Sequence, residues 1–404
     1  MKKYSQKMSW ETLDDTLVRL QCKKSERAQL PQMIAMFDLD HTLVKPRKGK
    51  VHPSNATDWQ WYDNTILKKL KKYNNDGYAI IIISNQDSER GGSTEKMERI
   101  SLIFNEIANY FEPIYLEFYT ALAKDAYRKP NTTIVEKYIL PYMREEPQKI
   151  FYVGDAAGRE GDFSDSDRKF AFNTHLLLKY RFPSANLKVL FATPEEFFKG
   201  EKASSKEWRG FDPKKYYEEN KNDDKDIIGE LDIKDQLYVI LLVGPPASGK
   251  STLRDQIINS YEDACYINQD ESRTKKNCLK NFQSFLEENK KIIIVDNTNA
   301  TLDTRKSYID LVRIHEDNTS IKYQVVCIYM QGNRELYSHM NIYRERVSFH
   351  RGNYVKRVGD IVYNIYYKNY EEPQLYEDID RLIEMPMKLK FHSKYEVIMF
   401  LQRT

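Results

Sequence analysis

The sequence predicts an α/β chain of two domains, each built on a parallel sheet, and three observations carry that expectation. Short β-branched runs alternate with helix-period stripes in two separate series, one before residue 210 and one after residue 236. The runs are apolar almost throughout, which fits strands covered on both faces. Each run of the first series stops at a polar residue: Met33–Phe37 at Asp38, Tyr78–Ile83 at Ser84, Ile150–Val153 at Gly154-Asp155. In open parallel sheets the region beyond the strands' carboxyl ends is where ligands sit.

Taken in order, Trp10, Leu13, Leu17 and Leu20 space as one amphipathic helix, so residues 1–30 read as an N-terminal helical extension. Residues 31–210 form the first domain. Within it Met97, Ile100, Phe104 and Ile107 mark a helix between Thr94 and Phe111. The stretch His175–Lys188 reads as an extended loop. Residues 211–235 (FDPKKYYEENKNDDKDIIGELDIKD) are dense in charge and Asn and read as a linker. Residues 236–404 form the second domain, with strands at Leu237–Val243, Tyr266-Ile267, Lys291–Val295 and Tyr323–Met330.

Composition narrows the functional classes. The 404 residues carry 63 Lys and Arg against 60 Asp and Glu, a net charge of +3, which argues against a uniformly basic nucleic-acid coat and leaves room for a local basic channel. The longest apolar run, Leu237–Val243, is far short of the roughly 20 residues that cross a bilayer, and the first residues hold no signal-peptide core, so no membrane partner is expected. The cysteines Cys22, Cys265, Cys278 and Cys327 are irregularly spaced and suit reduced thiols rather than a disulfide or zinc framework.

Asp38-Leu39-Asp40 ends the first strand with two carboxylates two residues apart. One can act as nucleophile, forming an aspartyl-phosphate, and the other can shuttle a proton; Mg²⁺ is expected to offset their repulsion. Ser84, Lys129 in Arg128-Lys129-Pro130, and Asp155 accompany the pair. In that order the set resembles the haloacid-dehalogenase phosphatase superfamily. The resemblance implies Asp38 as nucleophile, Asp40 as general acid and then base, Ser84 on the phosphoryl oxygens and Lys129 offsetting their charge. It also implies Mg²⁺ held by Asp38, Asp155 and the backbone carbonyl of Asp40. A second acid is expected from Asp162, Asp165 or Asp167, which the sequence does not separate.

The second series opens with Gly244-Pro245-Pro246-Ala247-Ser248-Gly249-Lys250-Ser251-Thr252, a match to G-x-x-x-x-G-K-[ST] between a strand and a helix. Its backbone N–H groups wrap phosphates, Lys250 meets the β- and γ-phosphates of ATP, and Ser251 binds Mg²⁺. Asp270, just past the second strand, stands where a base for a hydroxyl acceptor could lie. Asp296-Asn-Thr-Asn299 offers polar groups at the third strand's end, and Arg344 and Arg346 are candidates for a lid over the triphosphate.

Further segments tie the halves together: Val153–Arg159, Asp162-Phe-Ser164, Phe191–Phe198, Tyr127–Pro130, Pro53–Trp59 and Asp296–Asn299. With them the chain, over roughly residues 9–390, resembles the eukaryotic bifunctional polynucleotide kinase 3′-phosphatases. The resemblance implies removal of 3′-phosphates from DNA strand-break ends, with RNA ends also open. It implies ATP-dependent phosphorylation of 5′-hydroxyls with Asp270 as base and Arg344 as lid arginine, and a nuclear, DNA-repair setting. About thirty residues before the first strand leave no room for the forkhead-associated domain of vertebrate forms, so scaffold binding through it is not expected. His41 stands where the family usually has Gly, and Gln269 where it often has Arg. The alternative is a metabolite phosphatase fused to a small-molecule kinase. It is disfavoured because no long insertion after Asp40 supplies a cap over a small pocket.

Overall fold

The computed structural model describes residues 8–22, 29–47, 49–86, 93–184, 186–203, 205–221, 229, 231, 233 and 236–404. By its internal contacts the chain divides into two compact units. One comprises Met1–Asp212, Arg346–Tyr354 and Ser393–Thr404; the other comprises Pro213–Glu345 and Val355–His392.

In the first unit the strands are β1 (Met8–Asp14), β2 (Leu17–Cys22), β3 (Met33–Phe37), β6 (Tyr78–Asn85), β7 (Leu116–Ala121), β8 (Lys149–Val153) and β9 (Val189–Ala192), with a small separate pair β4 (Val44–Lys45) and β5 (Gln60–Trp61). Among the described residues the sheet order is β1-β2-β7-β6-β3-β8-β9. The pairs β7/β6, β6/β3, β3/β8 and β8/β9 are parallel, and β1–β2 is an antiparallel hairpin added beside β7. Alternation within the apolar runs decides the faces. Ala35, Phe37, Ile80, Ile82 and Phe118 pack with Ile66 and Leu70 of one helix and Ile100, Phe104 and Ile107 of another. The other face carries Tyr152 against Phe170, in the helix Ser166–Arg181. Both faces are covered, which is why these runs lack polar alternation.

In the second unit, among the described residues, β11 (Ala264–Ile267), β12 (Ile292–Val295), β10 (Leu237–Val243), β13 (Tyr323–Gln331) and β14 (Arg381–Pro386) lie in that order, all parallel. Here β10 divides its side chains between two cores. Val239, Leu241 and Val243 meet Phe282, Leu286, Tyr308 and Val312; Tyr238, Ile240 and Leu242 meet Leu253, Ile257, Met385 and Leu231.

Four expectations are corrected. The stretch expected as a helix is the hairpin β1–β2, with Trp10 opposite Leu20 and Asp14 opposite Leu17. The helical spacing of Trp10, Leu13, Leu17 and Leu20 arises because a turn at Asp15-Thr16 and a bulge near Leu13 interrupt the strand alternation. Residues 1–7 and 23–28 of that extension lie outside the described residues. The charged linker contains a helix, Pro213–Asn220, and Leu231 is 2% exposed against the second core; residues 222–228, 230, 232, 234 and 235 lie outside the described residues. The helix Ser166–Arg181 takes up the whole first half of the expected loop, residues 175–181. Finally, Arg346 and the last twelve residues belong with the first unit. Arg346 is buried, with Nε donating to Asn131 Oδ1 at 2.8 Å, and Arg403 N–H donates to Asn173 Oδ1 at 2.8 Å. Arg346 is thus a packing residue and not a lid arginine.

Candidate active sites

Because β3 lies between β6 and β8, Asp38, Ser84 and Asp155 arrive at one sheet edge from neighbouring strand ends. The Asp38 N–H donates to Val153 O at 2.8 Å and so continues the ladder into the site. Lys129 reaches the same place from a loop pinned to the end of β6. Its N–H donates to Asn85 Oδ1 at 2.9 Å, and Asn85 Nδ2 donates to Lys129 O at 3.1 Å. The buried ammonium then donates to Asp38 Oδ1 (2.5 Å), Asp167 Oδ1 (2.8 Å) and Tyr152 Oη (2.8 Å).

Asp167 is the acid that the sequence left open among three. Its Oδ2 accepts from Ala156 N–H at 3.1 Å, and Tyr152 Oη donates to its Oδ1 at 3.0 Å. The other two acids have local tasks: Asp162 accepts from the N–H groups of Ala157 and Arg159, and Asp165 pairs with Lys169 at 3.0 Å. Asp38, Asp155 and Asp167 bring carboxylate oxygens within 4.8 Å of one another. Burial, eased by Lys129 and reinforced by Asp167 and Asp155, pushes the Asp38 carboxyl well above its ordinary range. Burial and Asp167 raise Asp155 to about 7. Three crowded carboxylates around one ammonium leave surplus negative charge, and hard oxygen donors are the set a divalent cation takes. The residues present therefore fit a divalent metal.

Asp40 points elsewhere. Its Oδ1 accepts from Arg99 Nη1 at 2.5 Å and its Oδ2 from Gln86 Nε2 at 2.6 Å, while Gln86 also donates to Ser84 Oγ at 2.8 Å. Burial works to raise the Asp40 carboxyl, but Arg99 and Gln86 outweigh it and hold the group below its ordinary range. His41 has φ 56°, in the left-handed region where Gly is least strained. His is tolerated, and its Nε2 lies 2.9 Å from Val51 O. Thr42 Oγ accepts from the Asp155 N–H at 3.1 Å.

The second site forms where β10 meets the helix Lys250–Ser260. Gly249 has φ 93°, and a Cβ at Gly244 would meet Ser248 Oγ at 2.7 Å, so both glycines answer to geometry. Lys250 folds into its own loop, donating to Pro245 O at 2.7 Å and Ser248 Oγ at 3.3 Å. Burial, offset by Asp296 and reinforced by Arg344, lowers its ammonium to about 8. Ser251 and Thr252 are exposed in the helix's first turn. Asp296 is buried, and its Oδ2 accepts from Arg254 Nη1 at 2.8 Å. The following residues are staples: Asn297 Oδ1 accepts from Gln269 N–H at 2.7 Å, Thr298 O from Gly244 N–H at 3.2 Å, and Asn299 Nδ2 donates to Leu242 O at 2.8 Å.

Asp270 lies in the short helix Gln269–Ser272, its N–H capped by Asn268 Oδ1 at 2.7 Å and its side chain exposed. Arg344 donates to Asn341 Oδ1 at 3.1 Å, while its Nε is buried without a partner among the described residues. The geometry thus gathers Asp38, Asp155 and Lys129 around Asp167, and places Ser84 beside Asp40 through Gln86. In the second unit it couples Arg344 electrostatically to Lys250. Asp270 makes no hydrogen bond or ion pair with Lys250 among the described residues. Sequence reasoning missed Gln86, Arg99, Tyr152 and Arg254; of these only Gln86 carried a signal, standing two residues after Ser84.

Fold and sites together define a chain with two phosphoryl-transfer centres, an aspartate–lysine centre of phosphatase type and a P-loop phosphotransferase. The family profile "Polynucleotide kinase 3 phosphatase" matches residues 33–198, and "tRNA ligase kinase domain" matches residues 239–358. A Schizosaccharomyces pombe protein named "Bifunctional polynucleotide phosphatase/kinase" is 33% identical over 359 residues, covering 87% of this chain and 79% of the relative. A relative from Acanthamoeba polyphaga mimivirus, named for the same two activities, is 30% identical over 424 residues, covering 95% and 91%. The Saccharomyces cerevisiae "Polynucleotide 3'-phosphatase" is 30% identical over 227 residues, covering 41% of this chain and 86% of its own. The chain belongs to the bifunctional polynucleotide phosphatase/kinase family.

Proposed function

We propose that this enzyme heals broken DNA ends, removing 3′-phosphates in its first unit and phosphorylating 5′-hydroxyls from ATP in its second. The observation that carries this reading is the buried Asp38–Lys129–Asp167 cluster, in a chain whose other unit folds its G-x-x-x-x-G-K-S loop around Lys250. Asp38 attacks the 3′-phosphate, the 3′-oxygen leaves with a proton from Asp40, and water then opens the aspartyl-phosphate as Asp40 takes the proton back. Ser84 orients phosphoryl oxygens, and Lys129 offsets their charge. Asp38, Asp155 and the Asp40 backbone carbonyl would hold Mg²⁺, with Asp167 beside them, and the ion would supply charge neutralisation of the phosphoryl group.

In the kinase, Gly244 to Thr252 would cradle the triphosphate, Lys250 would meet its β- and γ-phosphates, and Ser251 would hold Mg²⁺. Asp270 orients the 5′-hydroxyl and takes its proton, and Arg344 stabilises the transferring charge. Strand-break repair in the nucleus is the setting that this pairing of activities serves. No helix among the described residues is long and apolar enough to cross a membrane.

The test is a labelled oligonucleotide with a 5′-hydroxyl and a 3′-phosphate, made as DNA and as RNA, incubated with Mg²⁺ with and without ATP. Loss of the 3′-phosphate in both conditions, gain of a 5′-phosphate with ATP alone, and faster turnover of DNA are expected. Faster turnover of RNA, or activity on free nucleotides alone, overturns the DNA assignment.

A further inference from the structure

The side chain of Arg99 raises a question that the phosphatase assignment leaves open. It lies in the helix Ser93–Tyr110 and is 4% exposed, yet burying a guanidinium is unfavourable unless a partner satisfies it. Among the described residues its anionic partner is Asp40. Nη1 donates to Oδ1 at 2.5 Å, and Nη2 donates to Oδ2 at 3.3 Å and to Gln86 Oε1 at 3.4 Å. Gln86 closes the network by donating from Nε2 to both Asp40 Oδ2 (2.6 Å) and Ser84 Oγ (2.8 Å).

The helix beneath is itself fixed. Ile100, Ile103, Phe104 and Ile107 are fully buried in the core under β3 and β6, so the position of Arg99 is set by packing. Asp40 by contrast stands on a loop, with about a third of its side chain exposed (32%). A short carboxylate on a loop has several rotamers, and a two-point grip from a buried, planar fork selects one. Proton delivery depends on that selection, because a general acid works only within hydrogen-bond reach of the leaving oxygen.

We propose that Arg99, with Gln86, is the positioning residue of the phosphatase, holding the Asp40 carboxyl where it meets the leaving 3′-oxygen. This rests on the assignment of Asp40 as the acid. The two claims separate by leaving group. An ordinary 3′-phosphate expels an alkoxide that needs a proton, whereas an oligonucleotide whose bridging 3′-oxygen is replaced by sulfur expels a thiolate that does not. In the step that expels the leaving group, before the aspartyl-phosphate common to both is hydrolysed, a residue that acts through Asp40 matters for the first substrate and hardly at all for the second. A residue that merely supports the fold, or steadies the phosphoryl group, affects both alike.

Release of the 3′-alcohol or 3′-thiol in a single turnover, with enzyme in excess so that later hydrolysis of the aspartyl-phosphate does not enter, is measured for the intact chain and for Arg99→Met, Arg99→Lys and Asp40→Asn, with melting curves for each. Arg99→Met is expected to slow release from the oxygen substrate about 10²-fold with little change in the enzyme concentration that half-saturates the rate, and release from the sulfur substrate less than about 3-fold. Arg99→Lys keeps the charge without the fork, and recovers part of the loss on the oxygen substrate. It also carries the test should the Met variant not fold, with a loss of roughly 10-fold on oxygen and none on sulfur. Equal slowing of both substrates by the folded Arg99 variants, or slowing of neither, overturns the proposal while a split in Asp40→Asn leaves the acid assignment standing. If Asp40→Asn itself slows both equally, the acid assignment falls and the role of Arg99 falls with it.

Discussion

Each unit buries one lysine at its site, and the two ammonium groups are held in opposite ways. Lys129 and Lys250 are 4% and 8% exposed, so both lose most of their hydration. Lys129 lies against the carboxylates of Asp38 and Asp167, and these outweigh burial and raise its pKa. Lys250 donates to a carbonyl and a hydroxyl instead; burial wins, and its pKa falls to about 8 despite Asp296. The first site carries its own counter-charges and has negative charge to spare, which a cation answers. The second holds a cation short of anions, which the phosphates of ATP answer. One residue type thus meets two ligand chemistries because of what the neighbouring strand ends supply.

The comparison makes predictions that differ in size. Asp270→Asn removes a proton acceptor while leaving the phosphate cradle intact, so kinase kcat should fall about 10²–10⁴-fold with nearly unchanged ATP affinity. Steady-state kinetics alongside nucleotide titration check this; a collapse of ATP binding would make Asp270 a nucleotide or metal ligand. Next in size is a stability contrast. Lys129→Met strands two buried carboxylates and should cost about 3–5 kcal/mol in denaturant unfolding without divalent cation. Lys250→Met removes a poorly paired buried ammonium and should change stability by less than about 1 kcal/mol, in either direction. Similar losses in both variants would erase the distinction.

Smaller effects test the edges of the phosphatase site. Asp167→Asn should weaken metal affinity and phosphatase activity about 10–100-fold, read by titrating activity against Mg²⁺, while Asp162→Asn leaves the Mg²⁺ titration in place. His41→Gly relaxes a positive φ but gives up the contact with Val51 O. It should therefore shift stability by no more than about 1 kcal/mol and phosphatase rate less than about 2-fold.

What could be read in advance follows from distance along the chain. Three central strands of the first sheet and four of the five in the second were legible because two-sided burial writes itself as a short apolar run, and the P-loop because its contacts are local, whereas Leu116–Ala121, Val189–Ala192 and Arg381–Pro386 carried no such reading. The hairpin Met8–Cys22 was not, because one turn and one bulge turn alternation into an apparent helical stripe. Arg346 looked like a lid residue beside Arg344, but its partners are Asn131 and the backbone near residue 402, which no local pattern announces. Asp167 was indistinguishable from Asp162 and Asp165 until Lys129, 38 residues away, selected it. Arg99 and Asp40 are 59 residues apart, and nothing local joins them.

The central claim is that one chain carries two independent phosphoryl-transfer sites. Its most direct measurement follows both ends of a single labelled oligonucleotide, bearing a 5′-hydroxyl and a 3′-phosphate, with Mg²⁺ and ATP, using Asp38→Ala and Lys250→Met. Asp38→Ala should leave the 3′-phosphate in place while the 5′ end gains phosphate at the normal rate. Lys250→Met should clear the 3′ end normally while 5′-phosphorylation falls about 10²–10³-fold or more. Loss of both products in either folded variant would contradict two independent sites.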